Sequence, residues 1–190
     1  MKLAGENIRE RETLVVDANK FWKPHEARRV LNATADIDYY IEQPCSTYEE
    51  CVSVSGSVKQ PMILDESLLD PRFLLRALKD DAFEGFGCKI TRVGGLTGMR
   101  AIRDLCGLAG KIITCDDAWG GDLSTAATTH ISVATSPSVF FSTYVSTDFS
   151  TIDYDPGASK VVNGSIKPNG LPGLGVSPDE SLLTLVAEFK

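Results

Sequence analysis

The sequence predicts an α/β protein whose strands form a parallel β-sheet. Short runs rich in apolar and β-branched residues alternate with longer segments in which apolar residues recur at helical spacing. The strand-like runs recur about every 24 residues, and six of them are present. Helices between consecutive strands indicate parallel pairing, because a parallel pair needs a crossover and cannot be joined by a tight turn.

Each predicted strand except the last is followed by a predicted helix. The strands are 13–18, 39–42, 61–65, 87–92, 111–116 and 138–144. The helices are 24–34, 47–57, 71–80, 97–110 and 123–135. Pro24 and Pro71 lie where a first helical turn tolerates proline, and Ser46 and Asp70 are predicted N-caps. This pattern suits a doubly wound sheet or part of an eight-stranded β/α barrel.

Three carboxylates favour the barrel. Asp17, Glu42 and Asp65 each end one of the first three strand runs, and successive acids are 25 and 23 residues apart. They therefore lie at the carboxyl ends of three consecutive parallel strands. In a barrel these ends converge at the face where barrel enzymes carry their chemistry, whereas in an open sheet they would line one edge.

Converging carboxylates indicate a metal site. Negative charges directed at one point repel unless a cation lies among them, and oxygen ligands suit a hard divalent ion such as Mg²⁺. A single acid at a strand end would more simply cap the next helix, but three acids in phase favour the metal. We therefore expect Asp17, Glu42 and Asp65 to bind Mg²⁺.

Lys89 lies one unit further along, 24 residues after Asp65. It alternates with Ile90 on its predicted strand, so its side chain can point into the barrel. A lysine among apolar walls and close to a divalent cation can serve as a general base near neutral pH. The alternative is a surface lysine, and the neighbouring acids favour the catalytic interpretation.

Further candidate side chains follow the later strands at the same face. Asp116, Asp117 and Trp119 would bind the cationic ring nitrogen of a substrate through charge and cation–π attraction. The alternative for Trp119 is packing over the glycines that follow it. Tyr144, at the end of the last strand, is a predicted lining residue of the same pocket. Glu66, next to Asp65, is predicted to orient a neighbouring metal ligand or the lysine.

The composition is that of a folded globular protein and excludes several classes of partner. Of the 190 residues, 43% are hydrophobic and 24% are charged, which excludes an intrinsically disordered chain. No apolar run approaches the length of a membrane helix, and residues 1–12 are too charged for a secretory signal. The net charge of −7 with scattered basic residues predicts no nucleic-acid partner and no membrane partner.

The cysteines indicate a reducing environment. Five are present, an odd number with no CxxC pair. Without an export signal they are expected to be free thiols, so the protein is expected to be cytoplasmic. A zinc site is not expected, because the chain has only two histidines and no cysteines at ligand spacing.

Four short motifs give the chain a resemblance to a known family. The segments VVDAN, IEQP, LDES and KITRVGG resemble the enolase superfamily, in its mandelate racemase/muconate lactonizing branch. The stretches YYIEQPCSTYEEC and CDDAWGGDLSTAATTHIS are similar to the sub-branch that contains cis-3-hydroxy-L-proline dehydratases and hydroxyproline-betaine epimerases. The tail segment VNGSIKPNGLPGLGVSPDE also resembles the family. The likeness extends over the whole chain from Leu14 onward.

This resemblance implies a function. Asp17, Glu42 and Asp65 would bind Mg²⁺, the metal would hold a small-molecule carboxylate substrate, and Lys89 would transfer the proton α to that carboxylate. The expected reaction is dehydration of a cyclic amino acid such as cis-3-hydroxy-L-proline. The alternatives are a racemase or epimerase of proline-like or betaine-like carboxylates, and a non-catalytic pseudoenzyme or fragment.

The chain departs from the family pattern at its start. The family carries a KxK pair well upstream of its first metal-binding acid, but only 16 residues precede Asp17 and the only lysine among them is Lys2. We therefore expect an incomplete TIM-type barrel, with barrel strands 3 to 8 in residues 1–152 and a tail, 153–190, that packs back on it. The N-terminal capping domain is expected to be missing, activity to be weak or absent, and the open sheet edges to favour a homo-oligomer.

Overall fold

The computed structural model describes residues 1–117 and 119–188, so Ala118 and the last two residues of the predicted tail lie outside the described residues. Strands and helices alternate along this part of the chain. The strands are β1 (Val15–Asp17), β2 (Tyr40–Glu42), β3 (Met62–Leu64), β4 (Gly85–Lys89), β5 (Ile112–Asp116) and β6 (Phe140–Tyr144). The helices are α1 (Lys2–Gly5), α2 (Pro24–Ala33), α3 (Tyr48–Ser55), α4 (Pro71–Asp80), α5 (Gly95–Ala109) and α6 (Gly121–Val133). Short 3₁₀ turns follow at Thr147–Phe149 and Glu180–Leu182.

The strands form one sheet in the order β1 to β6, and every neighbouring pair is parallel. The predicted fold class is therefore confirmed, and each predicted strand coincides with an observed one. β4 is the least accurate, because it begins two residues before the predicted range and ends at Lys89. The chain turns there: the backbone N–H groups of Arg92 and Val93 donate to the Lys89 carbonyl at 3.0 and 3.2 Å.

The sheet is curled. Tyr40 on β2 and Phe141 on β6 make an edge-to-face contact with ring centroids 4.9 Å apart, although their strands are four positions apart in the sheet. In a flat sheet those strands would be separated by about 19 Å. The inner faces of the two strands therefore approach each other across a barrel interior, and the six strands form an incomplete β/α barrel.

The main core lies between the outer face of the sheet and the helices. Ile41, Phe86 and Ile113 on the strands are fully buried against helix residues such as Leu31 and Ile102. Because side chains alternate along a strand, residues adjacent to these face the barrel interior. Glu42 therefore points to the inner face, as Tyr40 does.

The helix starts follow local capping rules. Asp70 caps α4 as predicted, since its Oδ1 accepts hydrogen bonds from the N–H groups of Arg72 and Phe73 at 2.7 and 2.8 Å. The prediction for α3 was wrong by one residue, because Thr47 is its N-cap and forms a capping box with Glu50. The Ser46 hydroxyl instead donates to the Lys20 carbonyl at 3.2 Å.

The tail contacts the start of α6. Asp122 in the first turn of α6 accepts hydrogen bonds from the backbone N–H of Asp155 at 2.9 Å and from Lys160 Nζ at 3.1 Å. The predicted division of the chain at residue 152 stays a prediction, as does association through the edges of the sheet. No described helix has both the length and the apolar character needed to cross a membrane.

Two glycine substitutions test the packing of β4. A Cβ at Gly85 would overlap the Ile112 side chain and lie 3.1 Å from the Ile112 carbonyl oxygen. We therefore expect Gly85→Ala to lower the free energy of unfolding by about 1–3 kcal/mol. Gly107 on α5 has open space around its Cβ position, so Gly107→Ala should raise that free energy by about 0.5–1 kcal/mol. Urea unfolding measures both, and equal effects would contradict this account of the sheet.

Candidate functional site

The ends of neighbouring strands bring the predicted side chains to one end of the barrel. Asp17 and Glu42 are the last residues of β1 and β2 and are paired in register. Asp65 directly follows β3, and Lys89 and Asp116 are the paired last residues of β4 and β5. All five lie at the carboxyl edge of the sheet.

Gly87 allows two of the carboxylates to approach β4. A Cβ at this position would lie 3.1 Å from Glu42 Oε1 and 3.2 Å from Asp65 Oδ1. A side chain here would therefore displace one or both acids. Sequence reasoning missed Gly87, although a glycine inside a strand, two residues before Lys89, is a recognised sign of close approach.

The grouped acids alter one another's ionisation. Burial, followed by the charges of Asp17, Asp65 and Asp116, raises the pKa of Glu42 to about 8. Burial also raises the pKa of Asp116 to about 6, although a hydrogen bond from Thr114 and the charge of Lys89 oppose the shift. The inner face therefore holds more acidic groups than it can keep ionised without a proton or a cation.

The Asp17 carboxylate is fixed by the loop that follows it. Oδ1 accepts a hydrogen bond from the Asn19 backbone N–H at 2.7 Å, and Oδ2 accepts one from Asn19 Nδ2 at 2.6 Å. Burial raises the pKa of Asp17, and these hydrogen bonds oppose the rise. Asn19 has φ of 46°, a left-handed conformation that asparagine tolerates better than most residues.

Asp65 binds the two cationic side chains of the site. It is 3% exposed, and its two oxygens accept hydrogen bonds from Lys89 Nζ and Arg92 Nη2. Arg92 is held in turn by the carbonyls of Gly87 and Leu68, each at 3.0 Å. Sequence reasoning missed Arg92. It lies in the turn that begins where β4 ends, three residues after the lysine.

The carboxylates at this end of the barrel have the chemistry and location of ligands for a divalent cation, but their side chains are not arranged in a coordination geometry. Among the side chains that the structure describes, no group of three or more His, Cys, Asp or Glu residues is arranged to hold a metal. Lys89 and Arg92 engage both oxygens of Asp65. The donor set of Asp17, Glu42 and Asp65 consists only of carboxylates, which is the set that suits Mg²⁺.

Asp117 lies apart from its neighbour Asp116. It is 1% exposed, and its Oδ2 accepts hydrogen bonds from Thr125 Oγ1 on α6 at 2.6 Å and from Ser146 Oγ at 2.9 Å. Burial alone would raise its pKa, but the hydrogen bonds outweigh that effect, so the pKa is lowered. This carboxylate joins α6 to the segment after β6. Its predicted contact with a substrate stays a prediction.

An aromatic cluster lies beside the site. The Trp119 ring centroid is 6.2 Å from those of Tyr144 and Phe149, and the latter two rings stack at 6.0 Å. All three side chains are exposed. Phe149 was not identified from the sequence, because nothing in its local pattern distinguishes it from a packing residue.

Glu66 Oε2 is buried and accepts no hydrogen bond from any described residue.

Comparison with known proteins relates this geometry to enzymes. Residues 1–182 match the family model described as enolase C-terminal domain-like. The chain is 45% identical over 174 residues to a cis-3-hydroxy-L-proline dehydratase of Roseibium aggregatum, and the match covers 90% of this chain and 47% of that protein. It therefore spans about half the length of this relative.

The chain is also similar to solved structures of the enolase superfamily. A mandelate racemase/muconate lactonizing enzyme from Roseovarius nubinhibens is 32% identical, with a TM-score of 0.93 over 98% of this chain and 51% of that one. A member of the enolase superfamily from the same organism, complexed with magnesium, is 32% identical. Its TM-score is 0.92 over 97% of this chain and 50% of that one.

The raised pKa of Glu42 predicts a stability that depends on pH. Between the ordinary value of 4.5 and about 8, the folded chain keeps a proton that the unfolded chain has lost. In buffer with EDTA, the free energy of unfolding should therefore fall as pH rises from 5 to 8, by at most about 1.4 kcal/mol per pH unit for this proton. Glu42→Gln cannot ionise and should reduce the slope.

Urea unfolding at a series of pH values measures this slope. Glu49→Gln is the matched control, because that carboxylate is exposed and its pKa is lowered. This control should keep the slope of the unchanged chain. A slope unaltered by Glu42→Gln would show that the Glu42 carboxylate is not forced to hold a proton.

Proposed function

The chain belongs to the enolase C-terminal domain-like family, and from that premise we propose that it contributes to Mg²⁺-dependent removal of the proton α to a carboxylate. The grouping of Asp17, Glu42 and Asp65 with Lys89 at the carboxyl ends of β1 to β4 supports this proposal. A weak carbon acid needs a preorganised positive charge near its carboxylate and a base near its α-carbon. This end of the barrel offers side chains for both.

The proposed substrate is a cyclic amino acid such as cis-3-hydroxy-L-proline. The identity of 45% to a dehydratase of that name supports this choice. In the reaction the Cα–H bond breaks and a base takes the proton. The C3–O bond then breaks, the leaving hydroxide takes up a proton from the protonated base or from solvent and departs as water, and the resulting enamine tautomerises to a cyclic imine.

Asp17, Glu42 and Asp65 would hold the metal. Burial and the charges of the neighbouring acids, which raise the pKa of Glu42 to about 8, support a cation at this place, and the magnesium complex of the 32% identical relative supports its identity. When bound, Mg²⁺ would neutralise the charge that develops on the substrate carboxylate as the α-proton leaves.

Lys89 is the proposed acid–base group. Its Nζ donates to Asp65 Oδ2, and its amine must be neutral to accept a proton from a substrate. Arg92 donates to the other oxygen and keeps the Asp65 side chain directed at β4. Asp65 would therefore serve both the metal and the base.

The remaining side chains would hold the cationic end of the substrate. Asp116 lies on the inner face beside Lys89 and supplies negative charge. The exposed rings of Trp119 and Tyr144 offer faces that attract a cation. Asp117 would support this part of the pocket through its hydrogen bonds, and Glu66 would orient a neighbouring metal ligand.

A cytoplasmic location is supported by the five free cysteines.

Two other functions are the alternatives. A racemase or epimerase of proline-like or betaine-like carboxylates is favoured by the structural likeness to a mandelate racemase/muconate lactonizing enzyme. A non-catalytic protein that keeps the cation site is favoured by the engagement of both Asp65 oxygens by Lys89 and Arg92. Metal binding does not separate these alternatives, but the fate of the α-proton does.

We expect Mg²⁺ to raise the thermal unfolding midpoint of the chain and Asp65→Asn to remove the rise, because ligand binding to the folded state stabilises it by mass action. Differential scanning fluorimetry with and without millimolar Mg²⁺ measures the shift. The control is Asp104→Asn, since this exposed acid pairs only with the adjacent Arg103 among the described residues. A midpoint of the unchanged chain that does not respond to Mg²⁺ would refute the metal site.

We expect Lys89→Met to reduce exchange of the substrate α-proton by at least about 100-fold, because general-base catalysis contributes that much or more. The measurement is NMR of cis-3-hydroxy-L-proline in deuterated water with Mg²⁺ and the chain. Lys79→Met on the exposed face of α4 is the control and should exchange normally.

The products distinguish the candidate functions. Imine with loss of water supports the dehydratase, and exchange with formation of the C2 epimer supports the epimerase. A chain that binds Mg²⁺ but exchanges no α-proton is the non-catalytic protein.

A further inference from the structure

The side chain of Gln43 lies between the ends of the two strands that carry Glu42 and Asp65. It directly follows Glu42 and is fully buried. Its Oε1 accepts hydrogen bonds from the backbone N–H groups of Asp65 and Ser67, at 3.1 and 3.2 Å. Through these bonds the end of β2 holds the first residues after β3.

The side-chain N–H groups of Gln43 are also both engaged in hydrogen bonds. Nε2 donates to Ser67 Oγ at 2.8 Å and to the Cys45 carbonyl at 3.0 Å, with a longer contact of 3.6 Å to Cys51 Sγ. Two acceptor positions and two N–H donors are all that a glutamine amide has. A carboxylate could not donate these bonds, and an apolar side chain could make none of them.

The backbone of Gln43 extends the same connection to the first strand. Its N–H donates to the Ile63 carbonyl at 3.0 Å, and its carbonyl accepts from the Lys20 N–H at 2.8 Å. Its φ of 32° lies in the left-handed region, which a non-glycine residue keeps only where its surroundings enforce it. Gln43 thus connects β1, β2 and β3 at the height where their carboxylates lie.

We propose that Gln43 is a positioning residue whose side-chain amide sets the separation of Glu42 and Asp65, and so fixes the cation site that they share with Asp17. This inference rests on the proposed function. The polar atoms of the Gln43 side chain are all engaged by the protein, so none is left to bind a substrate or metal directly. Its effect on a cation is indirect, through the backbone that carries Asp65.

Gln60 offers a matched control. It is also a buried glutamine, and its Nε2 donates to the carbonyls of Leu31 and Thr34, each at 3.1 Å. It lies before β3, at the opposite end of the sheet from the carboxylates. Gln43→Met removes four side-chain hydrogen bonds and Gln60→Met removes two, and only the first removes the connection to Asp65.

The experiment compares three measurements on the full chain and both variants. Urea unfolding gives global stability, calorimetry gives the Mg²⁺ dissociation constant, and NMR gives hydrogen exchange of the Asp65 and Ser67 amides. We expect both variants to be less stable. Gln43→Met alone should weaken Mg²⁺ binding by about 10–100-fold and speed exchange of those two amides. Ser67→Ala removes one acceptor of the amide and serves as a milder variant if Gln43→Met fails to fold, with a smaller loss of Mg²⁺ affinity in the same direction.

The outcomes are separable. Mg²⁺ affinity within twofold of the unchanged chain in the folded Gln43 or Ser67 variant overturns the proposal, and so does equal weakening by Gln60→Met. An unchanged chain that binds no Mg²⁺ overturns the proposed function instead. In that case amide exchange decides the role of Gln43: faster exchange confined to Asp65 and Ser67 supports it, and unaltered protection refutes it.

Discussion

Repulsion among carboxylates at one end of a curled sheet is the constraint on which this structure depends. At an effective dielectric constant of 20, two unit charges 4 Å apart repel by about 4 kcal/mol. Burial and this repulsion together raise the pKa of Glu42 to about 8, and the cationic side chains of Lys89 and Arg92 pair with Asp65. A folded chain that keeps such a group together loses stability to do so, and the fixed register of the parallel strands holds the backbones of Asp17 and Glu42 side by side.

The sequence was sufficient for those features that the backbone alone determines. Parallel strands require crossovers, and strand residues alternate between two faces, so regular spacing was enough to locate Asp17, Glu42, Asp65 and Lys89 at one edge. Gln43 and Arg92 were missed because their importance depends on where a long, flexible side chain ends. The partners that make them important, Asp65 and Ser67, lie 22 to 27 residues away in the chain, and no local pattern specifies such a pairing.

Asp116 and Asp117 are adjacent in the sequence but have different surroundings in the structure. The sequence assigned Asp116 and Asp117 to one task, but consecutive residues at a strand end point in opposite directions. Asp116 faces the inner side, where burial raises its pKa to about 6. Asp117 turns toward α6 and is held there by hydroxyl donors, which lower its pKa. The physical difference is the supply of hydrogen-bond donors: α6 is rich in buried Ser and Thr side chains, and the inner face is rich in acids.

Asp65 couples the two halves of the proposed chemistry. A carboxylate has two oxygens, and Lys89 and Arg92 engage both of them. Any divalent cation that binds Glu42 and Asp17 must share or displace those contacts to reach Asp65. Lys89, for its part, donates to that same carboxylate, and only its neutral amine can accept a substrate proton. Cation binding and release of the base are therefore not independent properties of this site, because both draw on the same negative charge. Gln43 accepts a hydrogen bond from the backbone N–H of Asp65, so under the proposed function the geometry of one strand junction would affect the cation and the base together.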